Sequence, residues 1–208
     1  NRRNNASSDT GRGDVRLRFG SQIHRPANGG VHGTMLILIT GGSKQGKSSA
    51  AEDIICRFEG KKYYIATMQP FGRDAEEAIV RHRKMREGKG FITIEKYTDI
   101  ADIDIPNDSA VLVECLGNLC ANEMFSSGEV KLPAEKIIGD IKVLSEKCRL
   151  LVLVSNQVGE DGIEYPTETM EYIRQLGIVN SGIADMADCV IECVYGIPIY
   201  LKGRENCF

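Results

Sequence analysis

Gly41 and Gly46, followed directly by Lys47 and Ser48, close the stretch TGGSKQGKS. That spacing, G-x-x-x-x-G-K-[ST], is the pattern of a loop that cradles phosphates. Glycines let the backbone curl until successive N–H groups point inward at phosphate oxygens, and the helix that follows presents its positive dipole end to the same anion. The eight residues Gly41, Gly42, Ser43, Lys44, Gln45, Gly46, Lys47 and Ser48 are the predicted phosphate loop. Lys47 supplies a mobile charge for the outer phosphates, and the Ser48 hydroxyl suits Mg²⁺. The plainer alternative is a glycine-rich turn, but an apolar run before it and a helical pattern after it favour the loop. A magnesium site needs a second anchor at the end of a neighbouring strand. Glu114 closes the run AVLVE at the edge where open α/β sheets bind ligands. Its alternative is a solvated strand end. ATPases, kinases, GTPases and motor proteins all use such a loop, so it does not by itself define the reaction.

His82 is the second candidate. It stands in AEEAIVRHRKMREG with Arg81, Arg83, Lys84 and Arg86 around it, while His24 and His32 fall in the first 34 residues. One reading is a basic helix face, with Ile79 and Val80 packing inward and a solvated imidazole. The other is that cations gather where a triphosphate arrives and disfavour imidazolium, leaving a neutral nitrogen lone pair as nucleophile or acid–base group. The residues alone leave both open.

These groups need a scaffold, and the chain supplies a regular one. Short apolar runs predict strands at 35–40, 62–67, 91–97, 110–115, 150–155, 189–194 and 197–201. Helical periods predict helices at 47–58, 73–87, 116–125, 133–147 and 167–187. In the last helix Met170, Ile173, Leu176, Val179, Ile183 and Met186 recur at steps of three or four, one face of a helix. Continuous apolar runs such as LLVLVS belong to strands buried on both faces, so a mostly parallel α/β sheet covered by helices on both sides is expected. Too little chain separates the last two strands for a crossover, which predicts a C-terminal antiparallel hairpin.

The chain has 208 residues, 42% hydrophobic and 26% charged, the composition of a soluble globular protein. No apolar run approaches the 18 or so residues that span a bilayer. The first 34 residues carry six Arg and two Asp, hence +4, leaving −7 for the remainder. This Gly-, Asn-, Ser- and Arg-rich leader lacks an apolar period and is expected to be disordered, an upstream artefact or tag. Residues 35–208 are then a single nucleotide-binding transferase domain that begins at Met35. Seven cysteines with no C-x-x-C spacing point to buried free thiols in a reducing cytoplasm rather than a zinc site. Nucleic-acid binding is disfavoured because the remainder is acidic and has no basic stripe interleaved with aromatics.

TGGSKQGKS, YYIATM, HRKMR, ITIEK, VLVECLGNLCANEMF, VSNQVG, GIVNSGIADMAD and YGIPIYLK occur in that order. Together they resemble the bifunctional adenosylcobinamide kinase / adenosylcobinamide-phosphate guanylyltransferase family of cobalamin biosynthesis, from Met35 to Lys202. The resemblance implies a RecA-like P-loop fold, a homotrimer, and the use of ATP, GTP and Mg²⁺ on a corrinoid acceptor. It assigns nucleotide contacts to the loop, to Ala66, Thr67 and Met68, to Arg83, Lys84, Met85 and Arg86, and to Glu95 and Glu114. His82 falls on the family's guanylylated histidine. Two steps follow from it: phosphorylation of adenosylcobinamide by ATP or GTP, then transfer of GMP from GTP through a histidine-linked intermediate.

The chain also departs from the family. Gln157 replaces an acid in the N-E-V-G segment, EDGIEYP is longer than the usual turn, and Gly117 stands where Thr is common. The R-D and G-R-V-N-Q signatures read Ile173, Arg174 and Gly177, Ile178, Val179, Asn180, Ser181. These changes leave the nucleotide side intact and fall on surfaces that face the acceptor. Two further functions stay open: a P-loop small-molecule kinase without the nucleotidyl step, and a nucleotide-binding regulator without turnover.

Overall fold

A computed structural model describes residues 33–126 and 128–204, with the side chains of 74, 75 and 85 left aside. The leader, apart from residues 33 and 34, lies outside the described residues. Seven strands form one sheet: β1 (Met35–Thr40), β2 (Lys62–Ala66), β3 (Phe91–Glu95), β4 (Ala110–Val113), β5 (Leu150–Val154), β6 (Cys189–Val194) and β7 (Ile197–Lys202). Their order is β3-β2-β4-β5-β1-β6-β7. Every pairing is parallel except β6 with β7, the expected terminal hairpin. The helices are α1 (Lys47–Cys56), α2 (Arg73–Arg86), α3 (Leu116–Phe125), α4 (Ala134–Glu146) and α5 (Thr167–Met186).

Side chains alternate across a strand, so each buried run feeds two cores. Leu36, Leu38, Val111, Val113, Leu151 and Leu153 face Leu119, Ile137, Ile141, Leu176 and Val179 of α3, α4 and α5. Ile37, Ile39, Leu112, Val152 and Val154 face Ala50, Ala51, Ile54 and Ile55 of α1. Burying each large aliphatic side chain contributes roughly 1.5–3 kcal/mol, so the central strands are the rigid floor on which the site stands.

The differences from expectation concentrate at one edge. Strands 62–67, 91–97, 110–115 and 150–155 end one or two residues early, all at their C-terminal ends. At the end of β2 the Thr67 N–H leaves the ladder and donates to the Glu114 carboxylate. A 3-10 turn at Ile100–Asp102, unsignalled by periodicity, plugs the core with Ile100. On α5 only Leu176, Val179 and Ile183 of the expected stripe are buried, while Met170 and Met186 are exposed. Val80, expected to pack inward, is 64% exposed. Helix α2 instead turns Ala78, His82 and Arg86 inward at steps of four, and a stripe with an imidazole and a guanidinium makes no apolar core. Cys115, Cys120, Cys148 and Cys193 are free and buried, but Cys56 is free and exposed and Cys189 is disulfide-bonded, against the expectation of buried free thiols throughout. No described helix is long and apolar enough to cross a membrane.

Candidate active site

The phosphate loop follows β1 and is held by the hairpin beside it. Gly41 adopts φ 137°, and a Cβ there would lie 2.5 Å from the Cys193 carbonyl oxygen, so neither its conformation nor its surroundings admit a side chain. Gly46 has φ 90° and abuts the Gly196 backbone. No side chain caps α1, which leaves its first N–H groups for an anion. Lys47 is 7% exposed and donates from Nζ to the Gly42 carbonyl at 2.6 Å. Burial lowers its pKa from the ordinary lysine value. Among the described residues this buried ammonium has a carbonyl as its partner and no counter-anion to offset its desolvation.

The second half of the site comes from β4 and α2. Glu114, buried just beyond β4, accepts from the Thr67 N–H at 3.2 Å through Oε2. Its Oε1 lies 2.5 Å from Nδ1 of His82. Tyr64 also hydrogen-bonds this carboxylate, and Arg86 lies over the Tyr64 ring at 3.5 Å from its centre. Burial alone would raise the Glu114 pKa, but hydrogen bonds from His82 and Tyr64 and the nearby charges of His82 and Arg86 outweigh it and hold the carboxyl below its usual range. An ionised carboxylate only accepts. Nδ1 of His82 therefore carries the hydrogen, and in the neutral ring Nε2 is left with the lone pair.

The expected cations near the imidazole are joined by an anion, the Glu114 carboxylate. Of the cations near His82 in sequence, Arg81 lines the same cleft as the ring, while Arg83 pairs with Glu95 at 2.6 Å and Arg86 stacks on Tyr64. The ionic partner of the ring is an anion.

Two cavities meet at His82. The larger, of about 760 Å³, is lined by Ser43 to Ser48, Met68, His82 and Glu114, together with Asn118 and Asn156. The smaller, of about 200 Å³, is lined by Ala66, Met68, His82, Arg83, Arg86, Glu95 and Glu114, among others. The predicted residues thus gather around one histidine. Thr67 lies fully buried beneath, its hydroxyl donating to the Cys115 carbonyl at 2.9 Å. Lys84 is exposed and lines neither cavity, and the side chain of Met85 lies outside the described residues. Ser48 and Glu114 offer oxygen donors to the same cleft, a set whose hardness fits Mg²⁺. The one acidic trio among the described residues, Asp99, Glu123 and Asp140, is bridged by the Lys136 ammonium at 2.9, 2.6 and 2.8 Å.

Sequence reasoning missed Tyr64 and Asn118. Tyr64 looks like any strand aromatic, whereas Asn118, one turn into a helix that follows a buried strand, was open to notice as a cleft polar group. The departures have local causes. Gln157 donates from Nε2 to Glu192 at 2.8 Å, so an acid at 157 would set two carboxylates against each other. At Gly117 a Cβ would meet the Tyr172 hydroxyl at 3.0 Å.

Comparison with known proteins covers the span of chain that carries the site. A sequence model described as cobinamide kinase / cobinamide phosphate guanyltransferase matches residues 37–201. The chain is 32% identical over 184 residues to the bifunctional adenosylcobalamin biosynthesis protein CobU of Escherichia coli (strain K12), covering 81% of this chain and 100% of that one. It is 27% identical over 170 residues to the bifunctional adenosylcobalamin biosynthesis protein CobP of Pseudomonas aeruginosa, covering 80% and 97%. Among solved structures, an ATPase domain superimposes with a TM-score of 0.46 at 10% identity, covering 78% of this chain and 70% of that chain.

Proposed function

The chain belongs to the cobinamide kinase / cobinamide phosphate guanyltransferase family, and from that premise we propose that it phosphorylates adenosylcobinamide and then transfers GMP to the product. In the first step the acceptor hydroxyl attacks the terminal phosphorus of ATP or GTP and the nucleoside diphosphate leaves. In the second, Nε2 of His82 attacks the α-phosphorus of GTP, an N–P bond forms and pyrophosphate departs. An oxygen of the cobinamide phosphate then attacks that phosphorus and Nε2 leaves, giving adenosylcobinamide-GDP.

One observation carries this reading: Glu114 binds Nδ1 of His82 at the wall of the cleft that the phosphate loop also lines. A nucleophile that must also leave is well served by imidazole, and a carboxylate that fixes its tautomer places the lone pair of the neutral ring on the attacking nitrogen. Lys47, short of an anion, supplies positive charge where pyrophosphate develops. Ser48 and Glu114 would hold Mg²⁺, which when bound offsets phosphate charge. Ala66, Thr67, Met68, Arg83, Met85, Arg86 and Glu95 belong to the nucleotide site in this reading, with Lys84 on its rim. A cytoplasmic homotrimer completes the proposal.

The test is covalent. GTP labelled at its α-phosphate should leave acid-labile, base-stable label on the protein. A chain that stays unlabelled, or a His82→Asn variant that labels like the parent, overturns the guanylyl step.

A further inference from the structure

The phosphate loop has two flanks, and His82 and Glu114 with the cleft they line occupy one of them. β5 and β4, which lead to Asn156 and Glu114, lie on one side of β1, and β6 with its hairpin lies on the other. The hairpin tip is locked to the loop. The Gln45 side chain accepts from the Tyr195 N–H, the Gln45 carbonyl accepts from the Gly196 N–H at 3.2 Å, and Gly46 sits against the Gly196 backbone.

Tyr195 is an unusual residue for such a tip. It adopts φ 52° and Gly196 φ 81°, the left-handed pair that a two-residue hairpin turn favours and that Asn-Gly or Asp-Gly ordinarily fills. A bulky aromatic at positive φ is a strained choice. Its side chain does not offset that strain by packing, because the residue is 86% exposed. An aromatic ring is thus held in water, in a strained conformation, beside the phosphate loop.

We propose that Tyr195 is the platform on which the base of the phosphoryl-donor nucleotide stacks. The assignment rests on the kinase half of the function above. When the terminal phosphate of a nucleoside triphosphate points toward the open cleft at Glu114, its ribose and base must leave the loop on the opposite flank, where this ring stands. Aromatic stacking accepts any purine, so the platform serves ATP and GTP alike. The guanylyl step needs the α-phosphate at His82 and hence a different pose, in which Tyr195 has no part.

Calorimetric titration of ATP and of inorganic tripolyphosphate, both with Mg²⁺, separates base from phosphate. Tyr195→Phe keeps the ring and should bind ATP like the parent. Tyr195→Asn removes the ring but suits the turn, so it should melt no lower than the parent and bind ATP about tenfold more weakly with unchanged affinity for tripolyphosphate. ATP affinity unchanged in Tyr195→Asn, or an equal loss for both ligands, overturns the assignment. Labelling of His82 by GTP is scored separately: a chain that fails to label yet shows the Tyr195 effect loses the guanylyl step and keeps the platform.

Discussion

At the scale of single residues, the tautomer and orientation of His82 are set by the carboxylate behind it. A hydrogen bond to a charged acceptor contributes about 1.5–3 kcal/mol, which is roughly ten- to a hundredfold in rate if it is realised in the transition state. Glu114→Ala should therefore slow guanylylation of the protein by about that factor in single-turnover labelling. Glu114→Gln, which still accepts from Nδ1 but carries no charge, should fall between it and the parent. The same carboxylate links stability to pH. Its folded pKa lies below the unfolded value, so its contribution is present above the ordinary glutamate range and is lost as pH falls through the lowered folded value. Melting temperature followed downward from pH 6 should accordingly drop more steeply in the parent than in Glu114→Gln.

At the scale of elements, α2 is attached by polar clamps. Besides His82 on Glu114 and Arg86 on Tyr64, the Lys89 ammonium just beyond the helix pairs with buried Glu52 of α1. Two nitrogens of buried Arg86, Nε and Nη1, have no hydrogen-bond partner among the described residues. Such orphaned donors cost stability until a ligand meets them. Arg86→Met should then melt within a few degrees of the parent without ligand and gain less from added GTP, as a thermal shift assay would record. Glycines give a contrast in the loop and in α4. Gly41→Ala forces a Cβ at positive φ into the Cys193 carbonyl and should destabilise by about 3 kcal/mol. Gly139→Ala, in the interior of α4 with nothing within 4 Å, should stabilise by about 0.5–1 kcal/mol. Urea unfolding of the two variants reads both signs.

For the whole molecule, occupancy of the site and stability of the fold are linked, because a ligand that binds only the folded chain stabilises it by mass action. Saturation at a hundred times the dissociation constant supplies about 2.7 kcal/mol, which should raise the melting temperature by roughly 5–10 °C in a chain of this size. Mg²⁺–GTP should do this for the parent and fail for Lys47→Ala. The sequence alone determined the phosphate loop, the strand and helix types in their order, and the closing hairpin, because spacing, apolar period and turn chemistry act over a few residues. Helix α2 was legible as a helix but its inward face was not, since that face is polar and no period marks it. Only the tertiary structure decided that β5 enters between β1 and β4, that Glu114 meets His82 across 32 positions, and that the Tyr195 N–H meets Gln45 across 150. Those contacts depend on which strands become neighbours, and strand order is set by the packing of the entire sheet rather than by any local stretch of chain.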